Sequence, residues 1–162
     1  MKIVLHEPGI ALNTGNIGRT CVATGTELHL IGPYGFYINE KAVKRAGMDY
    51  WPKVKLFEYI DYEDFVEKNP DATVWYASTK ALHTYTDVKY APDDFIMFGN
   101  ESRGIPEEIL LAHRDSCIRI PMLDDIRSLN LANSAAIILY EALRQQNFAG
   151  LECAGALHRL SW

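Results

Sequence analysis

Three short segments carry polar or charged side chains that could bind or activate a ligand, and the first two of them also contain glycine. They read NTGNIGR at residues 13–19, GNESRG at residues 99–104 and RSLNLANS at residues 127–134. Glycine lets backbone groups approach a flat ligand closely, serine and asparagine can orient a hydroxyl group, and a guanidinium such as Arg19 can stabilise developing negative charge. Each segment alone could be a turn, a helix cap or an exposed charge. Their occurrence together favours one binding site.

The elements that would position these segments alternate between strands and helices. The predicted strands cover residues 2–6, 28–31, 53–57, 73–77, 94–98 and 117–120. The first predicted helix follows the polar loop 13–20 and ends near residue 24. Further helices are predicted at residues 40–46, 62–68, 106–112 and 131–144. This alternation predicts an α/β fold with a mostly parallel sheet and helices on both faces. Ligands of such sheets bind at the carboxyl ends of strands, where loops 78–80, 99–104 and 122–130 are expected.

Composition excludes several classes of protein. The chain has 162 residues, 48% hydrophobic residues and a net charge of −5, which predicts one domain over residues 1–162 with a tail of uncertain order at 149–162. No apolar run has the length of a membrane span. Three widely spaced cysteines indicate buried thiols in a reducing cytoplasm, and no cysteine or histidine spacing indicates a metal site. Dinucleotide and phosphate-loop motifs do not occur.

The three segments resemble the three motifs of the SPOUT superfamily of S-adenosylmethionine-dependent RNA methyltransferases. The resemblance runs from Ile3 to about Arg144 and is closest to the small TrmL (YibK) type. A further family-like stretch is KRAGMDY at residues 44–50. The resemblance implies a C-terminal deep trefoil knot, a homodimer, and 2′-O-methylation of the wobble cytidine or uridine of leucine tRNAs.

The resemblance also implies roles for individual residues. Arg19, Glu101, Ser128 and Asn130 would form the catalytic set, with Glu101 orienting its loop and Arg19 contributed by the partner chain. The resemblance offers Arg19 as the base, but a guanidinium pKa above about 12 favours stabilising the alkoxide or holding a phosphate. The cofactor would contact Ala77, Ser78, Thr79, Gly99, Glu101, Ile120, Met122, Ser128, Leu129 and Asn133, with Arg119 and Arg127 as further holders of phosphate or cofactor groups. The candidates for RNA binding or dimerisation are Asn13, Asn16, Lys44, Arg45, Arg103 and Tyr140.

Three alternatives stay open at this point. The same chemistry could act at another tRNA or rRNA position, because the motifs specify the reaction better than the substrate. The chain could be a non-catalytic RNA-binding module of the same fold, against which the complete catalytic set argues. It could also be an unrelated nucleotide-binding enzyme, for which the expected phosphate loop does not occur.

Overall fold

A parallel β-sheet organises the protein. The computed structural model describes residues 1–36 and 49–162, and within them seven strands form one sheet in the order β3-β2-β1-β6-β4-β7-β5, with every neighbouring pair parallel. The strands are β1 Lys2–His6, β2 Glu27–Ile31, β3 Leu56–Tyr59, β4 Val74–Ala77, β5 His83–Thr84, β6 Phe95–Phe98 and β7 Cys117–Arg119.

Four α-helices and two short 3₁₀ helices connect these strands in the described residues. They are α1 Ala11–Thr24, α2 Tyr62–Lys68, α3 Glu107–Ala112 and α4 Leu131–Gln145, with 3₁₀ turns at Trp51–Lys53 and Arg114–Ser116. Local caps define two of the starts: the Asp61 side chain accepts from the Asp64 N–H at 2.8 Å, and the Asn130 side chain accepts from two N–H groups of α4. Gly25, with φ of 68°, ends α1 in the left-handed conformation.

Helices cover both faces of the sheet, as the sequence predicts. Alternate strand residues point to opposite faces, so Ile3 and Leu5 pack with α1 and α4 through residues such as Ile17 and Ile138. The side chain of Val4 points to the opposite face of the sheet, which packs against α2 and α3. That second cluster includes Met97, Phe65 and the partly buried Ile109 and Leu110. Each fully buried aliphatic side chain contributes roughly 1.5–3 kcal/mol.

The order of strands brings the predicted ligand loops together. β6, β4 and β7 are neighbours, and loops 99–104, 78–80 and 120–130 leave their carboxyl ends. β7 lies between β4 and β5, although only residues 78–82 join those two strands. This connection crosses the end of β7, where the Ser78 N–H donates to the Ile118 carbonyl at 2.9 Å and the Tyr85 N–H to the Arg119 carbonyl at 2.9 Å.

Several predictions about elements were wrong. α1 begins at Ala11, so NTGNIGR lies within the helix rather than in a loop before it. β3 starts at Leu56 rather than residue 53, because the 3₁₀ turn at Trp51–Lys53 occupies the preceding residues. β5, with two residues, was not predicted because it is too short for a recognisable pattern. Cys153 is exposed, unlike Cys21 and Cys117. The helix predicted at 40–46 lies outside the described residues.

The described part of the chain contains no helix long and apolar enough to cross a membrane. It also contains no group of three or more histidine, cysteine or acidic side chains arranged to hold a metal ion.

Candidate active site

A cavity of about 810 Å³ opens at the carboxyl ends of β4, β6 and β7. Phe98, Ile118 and Ile138 give it apolar walls, while the loops supply polar groups. It lies where the sequence predicts a ligand site, and most of the predicted cofactor and catalytic residues line it. These are Ala77, Ser78, Thr79, Gly99, Glu101, Ile120, Met122, Ser128, Leu129 and Asn130, together with Asn13, Arg103, Arg119 and Arg127 from the other predicted sets.

Glu101 connects the second segment to the start of α1. Its carboxylate accepts hydrogen bonds from the backbone N–H groups of Gly9 at 2.8 Å and Ile10 at 3.3 Å, and from the Asn13 side chain at 2.9 Å. The N-cap residue of α1, Ile10, offers no side-chain acceptor. A carboxylate stabilises the partial positive charge of a helix start, so Glu101 replaces a local cap and fixes the position of α1.

Asn13 and Asn130 continue this network into the third segment. The Asn130 side-chain amide donates to the Asn13 side-chain oxygen at 3.0 Å. The Asn130 oxygen accepts from the N–H groups of Ala132 at 2.9 Å and Asn133 at 3.3 Å. The first, second and third segments are therefore joined by one chain of hydrogen bonds, from Glu101 through Asn13 to Asn130. Asn13 is only 6% exposed, so within one chain it is an internal contact.

The charge state of Glu101 follows from these contacts. Burial acts to raise its pKa, but hydrogen bonds from Asn13 and from the backbone N–H groups outweigh burial, and the pKa lies below its ordinary value. Glu101 is therefore an ionised acceptor at neutral pH. This supports the orienting role that the sequence suggested for it.

The loop at 99–104 is held tightly against β1 and itself. A Cβ on Gly99 would lie 2.1 Å from the Gly104 carbonyl carbon, so only glycine fits the close approach of the two backbone segments. Asn100 donates to the Glu7 carbonyl at 2.7 Å and accepts from the Ser102 N–H at 2.9 Å and the Arg103 N–H at 3.2 Å. Asn100 therefore fastens the loop.

Four basic side chains surround the cavity. Arg103 pairs with Glu7 at 2.7 Å rather than with its neighbour Glu101, and Lys80 pairs with Glu107. Arg119 and Arg127 pair with no carboxylate in the described residues, and both line the cavity. Their guanidinium groups are therefore available to an anionic part of a ligand or RNA.

Other predicted residues lie away from the cavity. Asn133 does not line it, and Ser134 of the same helix turn does. Arg19 is two turns further along α1 than the cavity-lining Asn13, and its guanidinium carbon lies 4.7 Å from the centre of the Tyr50 ring. Asn16 and Tyr140 are exposed on α1 and α4. Lys44 and Arg45 lie outside the described residues.

Sequence reasoning missed several residues of the site. The sequence placed Phe98 and Ile118 only within the predicted strands 94–98 and 117–120, and Ile138 only within the predicted helix 131–144, whereas all three form cavity walls. For Phe98 and Ile118, the position at or next to the carboxyl end of a strand was a usable signal, because ligands of parallel sheets bind there. Ile10 was missed because α1 was expected to begin later.

Known sequences place this geometry in a family. The model of the SpoU rRNA Methylase family matches residues 1–140. A protein of Escherichia coli named tRNA (cytidine(34)-2'-O)-methyltransferase is 42% identical, over 93% of this chain and 96% of that protein. A Listeria innocua protein, whose name gives the same activity provisionally, is 51% identical, over 92% of this chain and 90% of its own length.

Solved structures agree with the sequence matches. A Bacillus anthracis protein described provisionally as an RNA methyltransferase is 47% identical, with a TM-score of 0.89 over 95% of this chain and 99% of that one. A structure described by "2-OH methylation of C/U34 on tRNA" has a TM-score of 0.83 and 40% identity, covering 90% of this chain and 95% of that one. An AdoMet-bound rRNA methyltransferase from Sinorhizobium meliloti has a TM-score of 0.77 and 27% identity, over 88% of this chain and 55% of that one. The chain belongs to the SpoU rRNA methylase family.

Proposed function

We propose that this protein transfers a methyl group from S-adenosylmethionine to the ribose 2′-hydroxyl of the wobble nucleotide, cytidine or uridine, in leucine tRNAs. The observation that carries the proposal is the cavity at the edge of β4, β6 and β7, which gathers residues of all three segments. The Escherichia coli relative is named for methylation at cytidine 34. The leucine isoacceptors are the substrates that the family resemblance implies.

The cavity suits S-adenosylmethionine in size and lining. Its volume of about 810 Å³ falls in the range of roughly 300–1,000 Å³ that is common for small-molecule sites. The apolar walls could enclose the flat adenine base of the cofactor, and backbone groups of the three loops could form hydrogen bonds with the polar edges of that base. An AdoMet complex is described for the Sinorhizobium meliloti relative. The sulfonium of this cofactor carries an activated methyl group.

The chain's residues would mainly align the reacting groups. Asn130 uses its side chain to hold α1 and α4 together, so it is a positioning residue. Ser128 lines the cavity and could orient the ribose hydroxyl directly. Arg19, as a permanent cation, could hold the adjacent phosphate and stabilise negative charge on the ribose oxygen as its proton leaves. Alignment of this kind contributes much of the rate in such transfers.

The active site would be completed in a homodimer. Arg19 shares α1 with Asn13 but does not line the cavity of its own chain. α1 exposes Leu12 by 66%, and α4, which packs beside it, exposes Ile137 by 37% and Tyr140 by 46%. These side chains offer an apolar surface on which a second copy could dock. In that arrangement, Arg19 of one copy would serve the cavity of the other.

The topology supports a further proposal. The connection 78–82 crosses the end of β7, and the chain continues from β7 into α4; we propose that residues after β7 pass through the loop formed before them as a trefoil knot. Joining the termini of the folded chain and then unfolding it tests this, because a knotted ring migrates differently from an unknotted ring of equal length. Residues 1–162 would act as one domain in the cytoplasm.

The proposed activity is tested with labelled S-adenosylmethionine and total tRNA from a strain lacking the activity. Mass spectrometry of the digested tRNA should find a new 2′-O-methyl group at the wobble nucleotide of leucine tRNAs. Label at another ribose would support the 2′-O-methyl transfer but would reject the wobble nucleotide as its target. Cofactor binding without transfer to any RNA would favour the non-catalytic RNA-binding module.

A further inference from the structure

Tyr50 contacts both Arg19 and the helical turn that carries Arg19. The guanidinium carbon lies 4.7 Å from the centre of the Tyr50 ring, within the range of a cation–π interaction. The Tyr50 hydroxyl donates to the Gly15 carbonyl at 2.7 Å. In an α-helix this carbonyl is the acceptor for the N–H four residues later, which belongs to Arg19. Tyr50 thus contacts both the side chain of Arg19 and the helical turn that carries it.

Small residues of α1 allow this approach. Gly15 and Gly18 are both buried, and a Cβ on Gly18 would lie 2.5 Å from the Trp51 ring. The aromatic ring of Trp51 therefore occupies space that any other residue at position 18 would fill. Because Trp51 packs here, the adjacent Tyr50 is held over the next exposed position of the helix, which is Arg19.

We propose that Tyr50 is a positioning residue for Arg19: its ring and its hydroxyl together fix the direction in which the guanidinium leaves α1. The proposal rests on the proposed function, in which Arg19 acts on the RNA. An arginine side chain loses rotamer freedom when it is ordered. A contact that orders Arg19 in advance removes part of that cost from the reaction step.

The hydroxyl of Tyr50 acts as a donor in this arrangement. Burial raises its pKa, although its hydrogen bond with Arg19 acts in the opposite direction. The hydroxyl is therefore protonated at neutral pH and keeps its hydrogen bond to Gly15. It is a support for Arg19 rather than a base for the ribose proton.

Two substitutions separate the ring from the hydroxyl. Tyr50→Leu removes both contacts and should lower kcat about tenfold, the size of a well-formed cation–π interaction, with the KM for S-adenosylmethionine unchanged. Tyr50→Phe keeps the ring and should lower kcat about threefold, since it loses only the hydrogen bonds of the hydroxyl. Tyr62→Phe is the matched control, because Tyr62 bonds to Tyr76 on the opposite face of the sheet, and its kcat should equal that of the wild type.

A double-mutant cycle distinguishes positioning from a general structural role. In an Arg19→Gln background, measured under single-turnover conditions, Tyr50→Leu should change the rate by less than about twofold, because the neutral glutamine makes no cation–π interaction for the ring to lose. An equal tenfold loss in both backgrounds would show that Tyr50 acts on the fold and not through Arg19. Wild-type kcat in Tyr50→Leu would also overturn the proposal.

A second measurement does not depend on methyl transfer. In ¹⁵N-labelled protein, the Arg19 side-chain Nε–H resonance should be shifted by the Tyr50 ring current and should return toward its random-coil position in Tyr50→Leu. Its loss in Arg19→Lys assigns it. A resonance already at the random-coil position in the wild type would reject the contact, whether or not the protein methylates tRNA. A shifted resonance in a protein that does not methylate tRNA would confirm the contact between Tyr50 and Arg19 but would reject the proposed function.

Discussion

At the scale of single residues, Asn13 carries more of the site than its sequence position indicated. The sequence suggested contact with RNA or a partner chain, whereas the structure places it between Glu101 and Asn130. The residue type was recognisable from the sequence, but its partners were not, because they lie 88 and 117 positions away along the chain. Distances of this kind are set by the order of strands and not by local pattern.

We expect Asn13→Ala to lower the free energy of unfolding by about 1–3 kcal/mol, since the Asn130 side-chain amide loses its acceptor and Glu101 loses one of its three hydrogen bonds. Urea unfolding measures this change. Asn16→Ala, one turn along the same helix and exposed, is the control and should change stability by less than about 0.5 kcal/mol. Equal losses in the two variants would contradict the bridging role of Asn13.

His29 should make stability depend on pH. Burial lowers its pKa from 6.5 to about 4, against the opposing effect of Glu27. The unfolded chain therefore binds a proton at His29 below about pH 6.5, and the folded chain only near pH 4. The free energy of unfolding should fall as pH drops through this window, by roughly 2–3 kcal/mol from His29.

Urea unfolding between pH 7 and about pH 4 tests this prediction in three proteins. His29→Gln removes the titrating group and should show a correspondingly smaller loss of stability over the window. His158→Gln, at an exposed position, should follow the wild type. If His29→Gln loses as much stability as the wild type, the histidine is not the source of the pH dependence.

At the scale of elements, local signals predicted some helix starts and missed others. Asp61 and Asn130 cap α2 and α4 within their own turns, and both starts were predicted correctly. The start of α1 was not, because its N-cap residue Ile10 has no capping side chain, and the N–H groups of Gly9 and Ile10, just before the helix, donate to Glu101 from the loop after β6. A sequence pattern reports caps that are local; it cannot report one that a distant loop supplies.

The loop 99–104 should tolerate no side chain at Gly99. Gly99→Ala places a Cβ 2.1 Å from the Gly104 backbone, so the loop must shift. We expect unfolding free energy to fall by about 1–3 kcal/mol and affinity for S-adenosylmethionine, measured by calorimetry, to fall at least about tenfold. Gly155→Ala, where a Cβ meets nothing within 4 Å, should change neither. Unaltered cofactor affinity in Gly99→Ala would separate this loop from the cofactor site.

At the scale of the whole molecule, the α/β class and the ligand edge were predictable, while the full strand order was not. Alternating elements indicate a parallel sheet, and loops at carboxyl ends indicate the site. The insertion of β7 between β4 and the two-residue β5 depends on pairing across the chain, which leaves no local signal. In the proposed dimer, the cavity that Arg19 would serve likewise depends on how two copies associate.

The proposed dimer predicts that activity can be shared between chains. Ile137→Arg places a charge on the exposed face of α4 and should give monomers in sedimentation equilibrium, whereas Ile60→Arg, at a 79% exposed position after β3, should leave the dimer intact.

Arg19→Ala and Ser128→Ala should each be inactive alone. Co-expressed, they should recover activity, because one site of a mixed dimer has both residues. No recovery would place Arg19 and Ser128 in the same chain's site.

The central claim is that the cavity directs a methyl group onto one ribose oxygen. It is tested most directly with two leucine tRNAs, identical except that one carries 2′-deoxyribose at the wobble nucleotide. Transfer from labelled S-adenosylmethionine should proceed on the ribose form and be abolished on the deoxy form, with both tRNAs binding the protein equally. Equal methylation of the two would contradict the account, because the acceptor could not then be the wobble 2′-hydroxyl.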